Sequence, residues 1–323
     1  MSIENNIPRY DPGDPNTAEL ELRYSLSNTQ HTAIAEQRER VLSIIRKPSE
    51  GLLAVVGPCA LTNDPEQISA EGITLQELDT AYEGLVMLHR MPPWKPRTNR
   101  EDWHGLETTE AEAAYRIVAN QAREHANIAI ETGHYDHVMR YGQLLTAAWT
   151  GGRNVYKDDL IEALAIHDAS LPLLVKNGLD GSIEAALKRI RAINAMREQG
   201  HIQSALIYRG GENAKTPETW EEAYKLALER TDGKLIVDVA HGSEIAHDPE
   251  NKKSVKGQTL AMEHVIELAK EGYLPAGVMI EASNIESPTD PVMPLEIALD
   301  GVKRLYEIKA GTEDVNQSEL LAA

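Results

Sequence analysis

The sequence is poor in cysteine, in basic residues and in long apolar runs, and each shortage excludes a class of protein. Its single cysteine, Cys59, excludes an intrachain disulfide and predicts a reducing, cytoplasmic location. Basic residues number 32 against 51 acidic ones, and the net charge of −19 argues against nucleic acid or an anionic membrane as the main partner. No apolar run approaches the roughly 20 residues of a membrane span, and the N-terminus lacks a signal-peptide pattern. The remaining composition, 41% hydrophobic and 26% charged, is typical of a soluble globular protein.

The N-terminal segment differs in character from the rest of the chain. Residues 1–30 are polar and carry three prolines, which predicts an arm without a packed core of its own. A helix is predicted at about Thr32–Ile45. We therefore assign residues 1–45 to an N-terminal arm and helix, and 46–323 to a single catalytic domain.

Short aliphatic runs recur along that domain and predict buried strands. They lie at Leu52–Val56, Leu85–Leu88, Asn127–Ile130, Ala147–Gly152, Leu171–Val175, Ala205–Tyr208, Leu235–Val239 and Gly277–Ile280. Most are separated by helical patterns at Glu66–Leu78, Thr109–His125, His137–Leu145, Ser182–Arg197, Pro217–Arg230, Thr259–Lys270 and Pro294–Ile308. Eight strands that alternate with helices predict an α/β fold, a (β/α)8 TIM barrel with an N-terminal extension. A doubly wound open sheet is the alternative.

The barrel prediction requires chemistry at the carboxyl ends of the strands. The residues found there all ligate metals, hold anions or transfer protons: Cys59, Arg90, Glu131, Arg153, Lys176, Arg209, His241 and Glu281. A random surface would mix in Ser, Asn and Gly at most of these positions. This regularity is the strongest functional signal in the residues.

Six cations form the first chemical group among these residues. They are Arg90, Lys95, Arg97, Arg153, Lys176 and Arg209. Three of them lie in or beside a proline-rich loop, Met91–Thr98, whose stiffness preorganises it to bind an anion. Converging cations suit a small substrate with several negative charges, such as a phosphorylated acid and a phosphorylated sugar. For any one of them, a surface salt bridge is the alternative.

A candidate metal site forms the second group: Cys59, His241, Glu281 and Asp290. One sulfur, one imidazole and two carboxylates suit a borderline divalent ion such as Mn²⁺, Fe²⁺, Co²⁺ or Zn²⁺. Taken singly, Cys59 is more often a buried apolar residue, His241 a turn residue and Asp290 a helix cap. Only a fold can bring these distant positions together.

Several motifs, taken in order, resemble the type I 3-deoxy-D-arabino-heptulosonate-7-phosphate (DAHP) synthases. They are Gly57-Pro58-Cys59, Arg90 to Thr98, Lys176 to Gly181, Arg209-Gly210-Gly211, Asp238 to His241 and Met279-Ile280-Glu281. The resemblance implies a TIM barrel that needs a divalent metal, Mn²⁺ first, and that condenses phosphoenolpyruvate with erythrose 4-phosphate towards aromatic amino acids. It also implies a dimer or tetramer.

The resemblance assigns roles residue by residue. The metal ligands would be Cys59, His241, Glu281 and Asp290. Phosphoenolpyruvate would meet Arg90, Lys95, Arg153, Lys176 and Arg209. The acceptor phosphate would meet Arg97, Thr98 and Ser170. A proton must move during the reaction, and Lys95, Glu131 and His241 are the candidates to move it.

Some positions depart from the family pattern. Ala60 follows Cys59 in place of Ser, 154–157 read Asn-Val-Tyr-Lys, and 242–244 read Gly-Ser-Glu. The departures surround the acceptor side of the site. They leave open an enzyme that takes a different aldehyde in specialised metabolism, or a catalytically silent relative that senses a ligand.

Overall fold

The computed structural model describes residues 16–94, 105–132, 135–152, 170–196, 204–251, 253–284 and 290–322. The fold within these ranges is an α/β barrel. No helix among them is both long enough and apolar enough to cross a membrane.

Eight strands form the barrel, as predicted. They are β1 (Leu52–Gly57), β2 (Leu85–Arg90), β3 (Ile128–Thr132), β4 (Ala147–Thr150), β5 (Leu173–Lys176), β6 (Ser204–Tyr208), β7 (Leu235–Asp238) and β8 (Gly277–Glu281). Each strand pairs in parallel with the next along the chain, and β8 pairs with β1 to close the barrel. Closure excludes the open doubly wound sheet, so the (β/α)8 prediction is confirmed.

Helices cover the outside of the barrel and one of its ends. They are α1 (Thr17–Arg23), α2 (Asn28–Arg46), α3 (Pro65–Ala81), α4 (Leu106–Thr109), α5 (Ala111–His125), α6 (Tyr135–Tyr141), α7 (Glu184–Met196), α8 (Pro217–Arg230), α9 (Gly242–His247), α10 (Val255–Lys270) and α11 (Leu295–Ala322). Local sequence signals set several starts. Helix α8, for example, begins at Pro217, and its N-cap residue Thr216 forms a capping box with Thr219 in the first turn.

Side chains alternate between the inside of the barrel and the layer beneath the helices, because successive strand residues point to opposite faces. The inward set forms one apolar cluster that includes Val55, Leu88, Trp149, Leu174 and Met279. Outward neighbours such as Ala54 and Met87 belong to a second, larger cluster shared with the helices. This alternation decides which strand-end residues face the site.

Helix α2 closes the amino end of the barrel. Its Val41, Ile44 and Ile45 belong to the same apolar cluster as the barrel interior. Its Arg38 donates hydrogen bonds to the carbonyl oxygens of Gly142 and Leu145, just before β4. The division of the chain at residue 45 stays a prediction, and α2 packs directly into the barrel that follows it.

Candidate active site

The last inward-facing residue of most strands is charged. Arg90, Lys176 and Glu281 each lie two positions beyond an inward-facing apolar residue, respectively Leu88, Leu174 and Met279. The same spacing on three other strands leads to the remaining charged residues. Together these residues are Arg90, Glu131, Lys176, Arg209, Asp238 and Glu281. Apart from Arg209, which is partly exposed, they are buried. The apolar interior therefore ends in a charged layer at the carboxyl ends of the strands, where the fold class carries its chemistry.

The predicted metal ligands come together in this layer. Single ligand atoms of Cys59, Glu281 and Asp290 all lie within 4.8 Å of one another. His241 joins them, since its Nε2 lies 3.5 Å from Glu281 Oε1. A thiol, an imidazole and two carboxylates at this spacing are a donor set that fits one borderline divalent ion.

His241 is held in an uncommon backbone conformation at the end of β7. Its φ of 61° and ψ of −117° are rare for a residue with a side chain. The next residue has no room for one, because a Cβ on Gly242 would lie 2.6 Å from the carbonyl oxygen of Arg209. The backbones after β6 and β7 thus touch, and this contact fixes the turn that presents His241.

The imidazole of His241 is prepared to act as a ligand. Its Nδ1 lies 3.0 Å from Asp238 Oδ2, an arrangement that leaves Nε2 free to face the other ligands. Burial lowers the pKa of His241 to about 4, with Lys176 adding to the effect and Asp238 opposing it. The ring is therefore neutral near pH 7, the form that binds metals.

Asp238 connects the metal ligands to the cationic group. Its Oδ2 also forms an ion pair with Lys176, whose Nζ lies 2.8 Å away. Burial alone would raise the pKa of Asp238, but Lys176 and His241 outweigh it and hold that pKa well below its usual range. Asp238 was not among the predicted site residues, although it lies two positions beyond the inward-facing Ile236 on β7.

Arg90 is a buried cation, and one of its nitrogens makes no hydrogen bond among the described residues. Its Nη2 donates to Glu281 Oε1 at 2.5 Å, its Nε donates to the Pro58 carbonyl at 3.1 Å, and its guanidinium lies over the Trp149 ring. Its Nη1 is buried and finds no hydrogen-bond partner within the described ranges. Glu281, ahead of Cys59 and Glu131, offsets the burial and raises the pKa of Arg90. A permanent cation with an unused buried donor is suited to an anionic ligand.

Lys176, Arg209 and Glu131 complete the layer. Burial lowers the pKa of Lys176 and of Arg209, and Asp238 opposes the shift in both. The backbone N–H of Arg209 donates to Asn177 Oδ1 at 2.8 Å, which joins the ends of β5 and β6. Glu131 accepts from Trp149 Nε1 at 3.3 Å.

Two further charged residues border the metal ligands and were not predicted. Lys253 donates from Nζ to Asp290 Oδ2 at 3.0 Å and lies 3.6 Å from Glu244 Oε1. Burial raises the pKa of Glu244 to about 8. The departure at 242–244 marked this region, but only the fold brings Lys253 to it.

The structure gathers most of the predicted site residues but not all of them. Cys59, His241, Glu281 and Asp290 meet at the site, as do Arg90, Glu131, Lys176 and Arg209. Lys95, Arg97, Thr98 and Arg153 lie outside the described residues.

Ser170 is the exception among the described candidates. It precedes β5 and so lies at the amino end of that strand, where its hydroxyl accepts from Arg38 Nη1 at 2.7 Å. The barrel thus separates Ser170 from the charged layer, and the structure does not bring it together with the other substrate-binding candidates.

A closed (β/α)8 barrel with a cluster of potential metal ligands beside buried cations defines a metal-dependent enzyme that handles anions. The sequence matches the DAHP synthetase I family over residues 31–315, and the chain belongs to that family.

Individual relatives are distant but cover most of the chain. The Tyr-sensitive phospho-2-dehydro-3-deoxyheptonate aldolase of Escherichia coli is 25% identical over 298 residues, covering 82% of this chain and 80% of its own. The tyrosine-inhibited one of Schizosaccharomyces pombe is 22% identical, covering 90% and 84%. A solved structure of the Francisella tularensis aldolase of the same name aligns with a TM-score of 0.77 at 19% identity, over 94% of this chain and 99% of that one.

Proposed function

We propose that this protein is a transferase that condenses phosphoenolpyruvate with erythrose 4-phosphate to give DAHP and phosphate, the first step of the shikimate pathway. The observation that carries the proposal is the meeting of Cys59, Glu281 and Asp290 within 4.8 Å, next to the buried cations Arg90 and Lys176. Family membership and the names of the relatives supply the particular substrates.

The cations take the anionic groups of the donor. Arg90, Lys176 and Arg209 line the charged layer, and Arg90 keeps a buried N–H for the ligand. Lys95 and Arg153 join them in the proposal on the strength of the family motifs. Arg97 and Thr98 are proposed for the phosphate of the acceptor. Ser170, bonded to Arg38 at the amino end, is left out of this set.

Cys59, His241, Glu281 and Asp290 would hold the divalent metal, with Mn²⁺ proposed first and Fe²⁺, Co²⁺ or Zn²⁺ as alternatives. When bound, the metal supplies a Lewis acid that polarises the aldehyde carbonyl. The chain's own contribution is to orient the ligands. Asp238 holds His241 by Nδ1, and Arg90 holds Glu281 by one carboxylate oxygen.

The reaction requires one new C–C bond, one molecule of water and the loss of phosphate. C3 of phosphoenolpyruvate attacks the aldehyde carbon, whose oxygen takes a proton. Water then adds at C2 and gives up a proton as phosphate departs. His241 has no spare nitrogen once Nδ1 faces Asp238 and Nε2 faces the metal site, so proton transfer falls to Glu131 or Lys95.

The decisive experiment measures phosphate release from phosphoenolpyruvate with Mn²⁺, comparing erythrose 4-phosphate with a panel of other aldehydes and a chelator control. Rapid, chelator-sensitive release with erythrose 4-phosphate supports the proposal. Release only with another aldehyde would make the protein a specialised relative. No release with any acceptor, from folded and metal-loaded protein, would indicate a silent relative.

Two properties of the whole protein belong to the proposal. A thiol ligand at Cys59 must stay reduced, which supports a cytoplasmic location. A homo-oligomer, dimer or tetramer, is supported by the family resemblance, and size-exclusion chromatography with light scattering tests it.

A further inference from the structure

Lys253 reaches the metal ligands from the segment between α9 and α10. Its Nζ lies 3.0 Å from Asp290 Oδ2, and that same oxygen lies 3.6 Å from Cys59 Sγ. One carboxylate oxygen therefore faces both the lysine ammonium and the sulfur with which it would share a metal. Neither the strand-end pattern nor the proposed substrate contacts give this lysine a role.

The ammonium group and a divalent ion would compete for Asp290. A lysine ammonium is a compact point charge, and it sits on the oxygen that a metal would use. The Asp290 side chain is 23% exposed and thus partly shielded from water, so two cations on its carboxylate would repel each other more strongly than in bulk water. Metal binding must therefore either displace Lys253 or proceed against its charge.

Glu244 offers the ammonium another acceptor. Its Oε1 lies 3.6 Å from Lys253 Nζ, is buried, and makes no hydrogen bond within the described part of the chain. The backbone directly after Lys253 is anchored, since Ser254 caps α10 and its hydroxyl donates to Asp248. The lysine side chain can thus change partner while its backbone stays in place.

We propose that Lys253 is an internal counter-ion, which holds Asp290 in the metal-free site and moves to Glu244 when metal binds. This positioning role rests on the proposed metal centre. It makes Lys253 a determinant of metal affinity: the lysine keeps a cluster of acidic groups stable without metal and weakens metal binding in return.

The test is a titration of the metal-free protein with Co²⁺. Binding is monitored by the sulfur-to-cobalt charge-transfer absorption, which reports ligation by Cys59. Removing the competing charge in Lys253→Met is expected to tighten Co²⁺ binding about tenfold. Lys253→Arg keeps the charge and should remain close to the wild type. The control is Lys256→Met, since Lys256 is 71% exposed in the first turn of α10 and its Nζ lies 3.7 Å from Asp248 Oδ1.

Two further measurements separate this role from a purely structural one. In an Asp290→Asn background, Lys253→Met should no longer change the affinity, because the lysine acts through Asp290. Thermal unfolding of Lys253→Met should show a lower Tm without metal and a Tm like that of the wild type with saturating Co²⁺.

Equal or weaker Co²⁺ binding by folded Lys253→Met would overturn the counter-ion role while leaving the metal centre intact. A wild-type protein that shows no thiolate absorption with Co²⁺ would instead remove the metal centre, and the counter-ion role with it.

Discussion

The two ends of the barrel are built from the same strands but hold opposite kinds of interior. At the amino end, the apolar side chains of α2 continue the barrel core, and the contacts of Arg38 go mainly to backbone carbonyls. At the carboxyl end, most of the last inward-facing residues are charged and buried. There Asp238 contacts both Lys176 and His241, and Arg90 contacts Glu281.

This difference indicates which end of the barrel mainly determines stability and which end mainly determines function. Burying a charge costs free energy unless the charge is paired. The paired charges at the carboxyl end add little net stability, because the cost of removing them from water offsets their attraction. The amino end also buries two cations, Arg38 and Lys309, but these donate to backbone carbonyls and lie apart from the charged layer. Changes at the carboxyl end should therefore alter chemistry and ligand binding, whereas changes at the amino end should alter stability alone.

The largest effect is expected from Cys59→Ala. Loss of the sulfur ligand should lower metal-dependent kcat/KM by at least about a thousandfold, while the free energy of unfolding without metal changes by only about 1 kcal/mol. Steady-state assays and urea unfolding measure the two quantities.

The matched change at the amino end is Ile45→Ala in α2. It should cost about 3 kcal/mol of stability through its cavity and leave kcat/KM unchanged. If Cys59→Ala keeps full metal-dependent activity, the metal assignment is wrong.

A second comparison uses two buried lysines, one at each end. Lys176→Met should raise the KM for phosphoenolpyruvate and lower kcat/KM about a hundredfold. It should also destabilise the fold by about 3 to 5 kcal/mol, because Asp238 loses a buried partner.

Lys309, by contrast, donates from Nζ to the carbonyl of Pro275 at 2.6 Å, just before β8. Lys309→Met should lower stability only, by about 1 to 3 kcal/mol, with phosphoenolpyruvate KM unchanged. Equal effects of the two changes on KM would contradict the division between the ends.

The pH dependence of stability should reveal Glu244. Its pKa in the folded protein is raised to about 8 from an ordinary 4.5, so between these values the folded state holds a proton that the unfolded state has lost. This group therefore makes stability fall as pH rises from about 4.5 through 8. Relative to the wild type, metal-free Glu244→Gln should gain stability steadily, by about 3 to 4 kcal/mol from pH 5 to pH 8.

The control is Glu71→Gln. Burial would raise the pKa of Glu71, but contacts with His89 and Ser283 lower it. Its stabilisation is present above 4.5 and is lost only as pH falls below that value, so it adds no slope between pH 5 and 8. Urea unfolding across this range, with chelator present, compares the variants. A Glu244→Gln curve parallel to the wild type would show that Glu244 titrates normally.

Most of the carboxyl end could be predicted from the sequence, since apolar runs mark the strands and parallel strands carry their last residues to one face. Cys59, His241 and Glu281 were found in this way. The approach of Lys253 could not be predicted, because it depends on the path of the segment between two helices. The bridging role of Asp238 was missed for another reason, since only its contacts with both Lys176 and His241 reveal it.

Ser170 gives the smallest expected effect and the sharpest test of the two-ended division. It was predicted to contact the acceptor phosphate through the family resemblance, although its position just before the fifth strand already indicated the amino end. Because its hydroxyl accepts from Arg38, Ser170→Ala should lower stability by about 1 kcal/mol and leave the KM for erythrose 4-phosphate unchanged. Arg38→Met, which also removes the bonds to Gly142 and Leu145, should cost more stability with the same unchanged KM. A several-fold rise in the KM for erythrose 4-phosphate in Ser170→Ala, absent in Arg38→Met, would show that Ser170 contacts the acceptor after all. The amino end would then take part in the chemistry.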